Sequence, residues 1–265
     1  MSAPPLPLRA PSLRLRTLES LVFLEAWSAL PSLPLLTLAR HGDGHPVLVL
    51  PGFAASDDST WYLRNVLRTK AYAAHGWSLG TNTGPHPRIV RGIERRLLGL
   101  ADSHGNAVSL VGWSLGGIYA RELARAHPAH VRHVLTLGSP FRLREADRST
   151  AQGLYRRLAP RDDPFPGRRA PEHHRNPLPV PTTSIYTRTD GVVRWHACID
   201  TIGPTSENIE VRGTHTGLGI NAAALFAVAD RLAQPEGAWR PFTPPRLLAH
   251  LYPAPASWEQ RWAAE

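Results

Sequence analysis

The chain has 265 residues, 42% of them hydrophobic, which suffices for one large α/β domain and excludes a wholly disordered protein. Its net charge of +9 comes from arginine, since Lys70 is the only lysine. No zinc-ligand spacing, base-stacking platform or one-sided basic helix accompanies this charge, so we expect a solvated basic surface and no nucleic-acid partner. Cys198 is the only cysteine, which excludes an intramolecular disulfide and indicates a buried packing residue.

The N-terminal segment predicts a packed helix rather than a signal peptide. Residues 1–12 are rich in proline and are expected to be disordered. Residues 17–30 have a helical pattern, but Glu19 and Glu25 interrupt the apolar run and no small-residue cleavage site ends it. The run is also shorter than the ~18 apolar residues that cross a bilayer. We therefore expect a cytoplasmic protein whose first helix packs on the domain, with a peripheral membrane contact as the alternative.

Strands and helices alternate along the rest of the chain. Short apolar runs bounded by turn residues predict strands, and apolar residues at helical spacing predict amphipathic helices. The predicted strands are residues 46–50, 73–79, 107–112, 131–137, 182–187 and 208–211. The predicted helices are residues 60–72, 89–101, 115–127, 192–199 and 220–232. This alternation predicts one α/β domain, residues 13–233, with a mostly parallel central sheet flanked by helices.

Two stretches depart from the alternation. Residues 142–181 are polar and rich in arginine and proline, contain one short predicted helix at residues 151–158, and are too long for a simple connection. We interpret this insertion as a lid over an active site, with a solvated insertion as the alternative. Residues 234–265 are rich in proline and tryptophan, and we expect this tail to wrap the domain.

The junction between the third predicted strand and the helix after it carries the motif Gly112-Trp113-Ser114-Leu115-Gly116-Gly117. Gly-x-Ser-x-Gly in this setting indicates a nucleophile elbow, a sharp turn that presents a strained serine at the N-terminus of a helix. We expect Gly112 and Gly116 to be required because neighbouring chain approaches them too closely for a side chain. Ser114 is therefore the candidate nucleophile.

A serine nucleophile also needs backbone donors for the oxyanion that forms when it attacks a carbonyl. The N–H of Leu115, directly after the serine, is one candidate. The N–H of Phe53, in the loop after the first strand, is the other, the alternative being a plain Pro-Gly turn at Pro51-Gly52. Phe53 and Trp113 are expected to shape the substrate pocket.

The acid and the base are expected after later strands, in the chain order serine, acid, histidine. Asp190 follows the fifth predicted strand, and His215 follows the sixth. Asp190 would fix the tautomer of the imidazole, while His215 would take the proton from Ser114 and return it to the leaving group. The rival residues, none of which directly follows a strand, are Asp200, Glu207, His173, His174 and His196. No third ligand is placed beside the two adjacent histidines, so we expect no metal and no other cofactor.

These motifs resemble those of bacterial triacylglycerol lipases and the related GPI inositol-deacylase-like hydrolases, which are serine hydrolases of the α/β-hydrolase fold. The resemblance covers residues 46–233 without the insertion, and Trp113 replaces a histidine that many of those lipases have. The segments that carry it are the motif around Ser114, Leu137-Gly138-Ser139-Pro140, Asp190-Gly191-Val192-Val193 and Gly213-Thr214-His215. It implies cleavage of acyl esters through an acyl-enzyme, with Ser114 as nucleophile, Asp190 as acid, His215 as base, and Phe53 and Leu115 as oxyanion donors.

The sequence therefore predicts an esterase- or lipase-like enzyme that acts on a small-molecule or lipid ester. An acyltransferase with the same triad is the first alternative, because both reactions pass through one acyl-enzyme. The second alternative is a catalytically silent binding protein on the same fold. The presence of all three candidate triad residues argues against this second alternative.

Overall fold

The structure is a computed structural model that describes residues 9–21, 36–143, 147–160, 165 and 175–256. The strands in these ranges are β1 (Pro46–Leu50), β2 (Ala73–Gly76), β3 (Val108–Trp113), β4 (Val131–Leu137), β5 (Thr182–Tyr186) and β6 (Ser206–Glu210). The α-helices are α1 (Leu13–Leu18), α2 (Trp61–Thr69), α3 (Pro87–His104), α4 (Leu115–Ala126), α5 (Gln152–Leu158) and α6 (Ala222–Leu232).

The six strands form one sheet in the order β2-β1-β3-β4-β5-β6, and all neighbours are parallel. The chain steps from β1 to β2 on one side and then crosses to β3 on the other side of β1. Sites in open α/β sheets form at the carboxyl ends of the strands beside such a reversal. The loops after β1 and β3, which carry Phe53 and Ser114, flank this point. The predicted fold, one α/β domain with a mostly parallel sheet, is confirmed.

Apolar side chains on both faces bury the sheet between two layers of helices. In β1 all five residues are buried, which explains its continuous apolar sequence. Val47 and Val49 pack in the core that includes α2 and α6, whereas Leu48 and Leu50 pack in the core that includes α3 and α4. The sheet is therefore packed against helices on both faces, and the loops at its carboxyl edge extend from this packed core.

Two predicted elements are shorter than expected. The second strand ends at Gly76, since the N–H groups of Trp77 and Ser78 donate to the carboxylate of Asp57 at 2.9 and 3.0 Å. The helix predicted at residues 192–199 was wrong, and only a 3₁₀ turn, Trp195–Ala197, forms there.

The described parts of the N-terminal and C-terminal segments both contact the domain. Residues 1–8 and most of the helix predicted at residues 17–30 lie outside them. In the C-terminal tail, the hydroxyl of Tyr252 donates to the carbonyl of Ala223 in α6 at 2.9 Å. None of the helices in the described ranges is both long enough and apolar enough to cross a membrane.

Candidate active site

Ser114 stands at the turn between β3 and α4 in a strained backbone conformation, with φ 52° and ψ −119°. Few residues other than glycine adopt a positive φ, and such strain persists only where the surroundings enforce it. A Cβ on Gly112 would collide with the backbone of Gly117, and one on Gly116 would collide with the carbonyl of Leu50. The predicted close approach at both glycines is confirmed, and it forces the serine out at the carboxyl edge of the sheet.

Asp190 and His215 meet at the same edge, from the loops after β5 and β6. The Nδ1 atom of His215 lies 2.6 Å from Oδ2 of Asp190, and both side chains are buried. The other carboxylate oxygen, Oδ1, accepts the N–H groups of Val192 and Val193 at 2.8 and 2.7 Å. These two bonds fix the carboxylate towards the imidazole.

The electrostatic surroundings of His215 favour its protonated form. Burial of the imidazole lowers its pKa, but the charge of Asp190, the hydrogen bond to Asp190 and the charge of Glu19 raise it, and the net shift is upward. An imidazole in this setting is stabilised when it accepts a proton. That is what a general base beside a serine requires.

A bond from a side chain to the backbone joins the serine loop to the histidine loop. The indole N–H of Trp113 donates to the carbonyl of His215 at 3.1 Å. A Cβ on Gly138, in the loop after β4, would lie 3.1 Å from Nδ1 of His215. The Oγ of Ser114 makes no hydrogen bond to any residue that the structure describes. Bonds of this kind are often long in free enzymes and tighten when substrate binds.

Trp113 does not have the predicted place in the substrate pocket. Its indole donates a hydrogen bond to the carbonyl of His215 and packs, partly buried, against the core on the α6 side of the sheet. It is not among the residues that line the cavity beside Ser114. Alternate residues of a strand point to opposite faces, and Trp113 is the last residue of β3, so its side chain supports the histidine loop from behind.

A cavity of about 930 Å³ opens beside Ser114. Its walls are mainly apolar, with Arg148 and Arg156 among the polar lining residues. The apolar residues that line it include Phe53, Ile118, Leu143, Tyr155, Val192 and Val193. Part of the insertion therefore forms a wall of the cavity, because Tyr155 belongs to α5 and its ring lies 5.2 Å from that of Phe53. The lid role of residues 142–181 stays a prediction.

Both candidate oxyanion donors line this cavity together with Ser114. Neither the N–H of Phe53 nor that of Leu115 donates to another group in the described part of the chain. A Cβ on Gly52 would lie 3.3 Å from the Cβ of Ser114, so the loop after β1 passes directly against the serine. Both residues thus line the same cavity as Ser114, and their role as oxyanion donors stays a prediction.

Asn82, for which no role is predicted from the sequence, holds the loop that carries Phe53. This fully buried residue donates from Nδ2 to the carbonyl of Pro51 at 2.9 Å, and its own carbonyl accepts the N–H of Ala54 at 2.7 Å. Its Oδ1 accepts the hydroxyl of Tyr119 in α4 at 3.0 Å. Nothing in the local sequence marks this residue, because all of these partners are distant or belong to another loop.

The rival acids are engaged in buried structural networks. Asp200 accepts from Arg121 at 2.7 Å and from Arg142 at 2.9 Å. Glu207 accepts from Thr183 at 3.0 Å and from Arg231 at 3.2 Å. The carboxylates that act on the imidazole of His215 are those of Asp190 and Glu19 and not those of these two acids.

The rival base His196 and the cysteine are both buried. His196 is buried and stacks on Trp195 with ring centroids 3.7 Å apart, while His173 and His174 lie outside the described residues. The predicted burial of Cys198 is confirmed, and burial together with the charge of Asp190 raises the pKa of its thiol. A thiol with a raised pKa is a poor nucleophile.

A second serine, histidine and aspartate set lies at the opposite edge of the sheet. The imidazole of His45 is 2.9 Å from Oγ of Ser109 and 2.5 Å from Oδ1 of Asp43. Ser109, however, is fully buried inside strand β3, and the adjoining cavity measures about 20 Å³. A space of that size holds about one water molecule. This set therefore stabilises the sheet edge and has no room for a substrate.

Metal-ligating side chains are dispersed in the described ranges: no group of three or more His, Cys, Asp or Glu residues converges there.

Comparisons with known proteins give a likeness of fold. The sequence matches no protein-family model and no curated protein. The structure resembles lipase B of Aspergillus fumigatus with a TM-score of 0.55 and 17% identity, over 77% of this chain and 58% of that one. It also resembles the thioesterase domain of the curacin biosynthetic pathway (TM-score 0.49, 14% identity, 72% and 92% of the two chains). Lipase BlEst2 of Bacillus licheniformis is similar to the same degree, with a TM-score of 0.49 and 16% identity over 72% of this chain and 93% of that one. The chain thus spans little more than half of the Aspergillus lipase.

Proposed function

We propose that this chain, which has the α/β-hydrolase fold, is a serine hydrolase that cleaves carboxylic esters through an acyl-enzyme on Ser114. The observation that carries the proposal is the strained Ser114 at the same sheet edge as the buried Asp190–His215 pair, which are 2.6 Å apart. Strain at a nucleophile and a carboxylate-oriented imidazole are costly features that a purely structural turn does not need.

The reaction follows from the roles that these groups can perform. Oγ of Ser114 attacks the ester carbonyl carbon while His215 accepts its proton, and the N–H groups of Phe53 and Leu115 stabilise the oxyanion. His215 then gives the proton to the departing alkoxide, which leaves as the alcohol and an acyl-serine remains. Water, activated by the same imidazole, attacks the acyl-serine and releases the acid. Asp190 keeps the imidazole in the required tautomer throughout.

The cavity indicates which part of the ester the enzyme binds. A volume of about 930 Å³ lies within the range of small-molecule sites, and its walls include Phe53, Ile118, Leu143 and Tyr155. Burying apolar substrate surface against such walls stabilises binding by roughly 25 cal/mol per Å². We therefore expect an ester with a sizeable apolar acyl or alcohol group, which a lipid or a small hydrophobic molecule would provide.

Hydrolysis of p-nitrophenyl esters of increasing acyl length tests this function, with the Ser114→Ala variant as the matched control. We expect the wild type to turn over, the longer acyl chains to lower KM, and the variant to fall to background. Equal rates in both proteins would contradict the proposal. An inactive wild type that still reacts with a fluorophosphonate would indicate transfer to an acceptor other than water.

The activity should depend on pH through His215. Only the neutral imidazole can take the serine proton, and Asp190 and Glu19 raise the pKa of this histidine despite its burial. We therefore expect kcat/KM to rise with pH through a pKa above the ordinary value of about 6.5 for histidine. Initial rates between about pH 5 and pH 9 would measure this value. A midpoint below the ordinary value would contradict the assignment of His215 as the base.

A further inference from the structure

Glu19, in the 3₁₀ turn that follows α1, contacts both loops of the acid–base pair. Its Oε1 accepts the N–H of Gly191 at 2.8 Å and the N–H of His215 at 3.0 Å. Its Oε2 accepts the N–H of Thr216 at 3.0 Å and the hydroxyl of the same residue at 2.7 Å. One carboxylate, far away in the sequence, thus joins the residue after the acid to the base itself.

We propose that Glu19 is a positioning residue that fixes the loop of Asp190 and the loop of His215 relative to each other. This inference rests on the proposed function, since it concerns the geometry of the same acid–base pair. Glu19 touches neither substrate nor the reacting atoms, and it acts through the backbone of His215 and of Gly191. Small displacements of a catalytic group lower rates steeply, by about 100-fold for ~1 Å.

The chemistry of the contact requires a carboxylate. All four partners of Glu19 are donors, three backbone N–H groups and the hydroxyl of Thr216. An ionised carboxylate accepts at both oxygens, and bonds to a charged acceptor are stronger than neutral ones. Glutamine at this position would place an NH₂ group against at least one of these N–H groups, so at least one of the four bonds would be lost together with the charge that strengthens the others.

The fit of α1 on the acid loop supports the same conclusion independently. A Cβ on Gly191 would collide with the carbonyl of Leu15 and would lie 2.8 Å from Cγ of Glu19. The residue after Asp190 can therefore be only glycine if α1 is to reach this position. The sequence feature that lets the acid loop turn is also the one that lets the first helix dock on it.

The charge of Glu19 also reaches the base. Burial raises the pKa of Glu19, but the bonds from Thr216, Gly191 and His215 lower it by more. The net shift is downward, so the group stays ionised near neutral pH. The charged groups that act on the imidazole of His215 are Asp190, on the loop after β5, and Glu19, after α1. Both are negative and both raise the pKa of His215, so loss of the Glu19 charge should lower it.

The test compares Glu19→Gln, which preserves size, with Ser12→Ala. Ser12 caps α1 by accepting the N–H of Leu15 at 3.4 Å, so its loss weakens the helix without removing the carboxylate. We expect Glu19→Gln to lower kcat by at least about tenfold with KM little changed, and to move the acid limb of the pH profile to lower pH. We expect Ser12→Ala to alter thermal stability but neither kcat nor the acid limb.

An NMR titration of the His215 imidazole supplies a readout that needs no substrate. The inference predicts a lower His215 pKa in Glu19→Gln than in the wild type, and no change in Ser12→Ala. An active wild type with an unchanged kcat, acid limb and imidazole pKa in Glu19→Gln would overturn it. An inactive wild type that fails to react with a fluorophosphonate would instead overturn the proposed function, and the imidazole titration would still decide the role of Glu19.

Discussion

Replacing Asp190 by Asn is expected to lower kcat by about 10⁴-fold while the protein stays folded. The amide oxygen of Asn can keep the two bonds from the N–H groups of Val192 and Val193, at 2.8 and 2.7 Å in the native protein. Its NH₂ group then faces Nδ1 of His215. Because an NH₂ group only donates, Nδ1 must become the acceptor, and the ring proton moves to Nε2. An imidazole in that tautomer cannot take the proton of Ser114.

Steady-state kinetics of Asp190→Asn, together with thermal unfolding, would measure this effect. The expected combination is a collapse of kcat with a melting temperature close to that of the wild type. A loss of only a few-fold in kcat would mean that another acid orients the imidazole. A large fall in melting temperature would mean that the residue acts on stability rather than on chemistry.

Replacing Asp200 by Asn is expected to have the opposite signature, a loss of stability of about 3 to 5 kcal/mol with the chemistry intact in the folded fraction. Asp200 joins the buried side chains of Arg121 and Arg142 at 2.7 and 2.9 Å. Removing its charge leaves two buried guanidinium groups without this carboxylate, and a buried charge that loses its partner is strongly destabilising. The carboxylates whose charge acts on the imidazole of His215 are those of Asp190 and Glu19, so the acid–base pair keeps its surroundings in Asp200→Asn.

Chemical denaturation at several pH values would measure the effect, with Asp102→Asn on the exposed surface of α3 as the matched control. Burial raises the pKa of Asp200, but its two arginines lower it by more, so the net shift is downward. Because the pKa of Asp200 is lower in the folded state than in the unfolded state, its ionised form stabilises the fold above about pH 4, and this stability is lost in acid. The difference in free energy of unfolding between the wild type and Asp200→Asn should therefore become smaller in acid. Equal stability of Asp200→Asn and Asp102→Asn would contradict this account.

The parts of the site that the sequence predicted are those with local physical causes. The elbow could be recognised because the steric demands on Gly112 and Gly116 come from backbone only a few residues away or in the adjacent strand. The strands could be recognised because burial on both faces requires continuous apolar runs, as in residues 46–50. Asp190 and His215 could be placed by chain order, because the carboxyl ends of parallel strands meet at one edge.

The parts that the sequence could not predict depend on contacts between distant residues. Asn82 and Glu19 act through backbone groups of other loops, and in the sequence Glu19 is only an interruption of an apolar run. Trp113 was misassigned to the pocket because its position next to the nucleophile does not reveal that its indole bonds to the carbonyl of His215. Side-chain to backbone bonds of this kind carry no periodicity and no motif, so they become visible only in the fold.

Fluorophosphonate labelling followed by peptide mass spectrometry tests the central claim most directly, because it reports which serine is activated without requiring the natural substrate. Ser109 is the matched control, since it too faces a histidine and an aspartate, but at the buried edge of the sheet. The account predicts one labelled peptide containing Ser114 in the wild type and in Ser109→Ala, and no labelling in Ser114→Ala. Labelling that persists in Ser114→Ala, or a wild type that does not react, would contradict it.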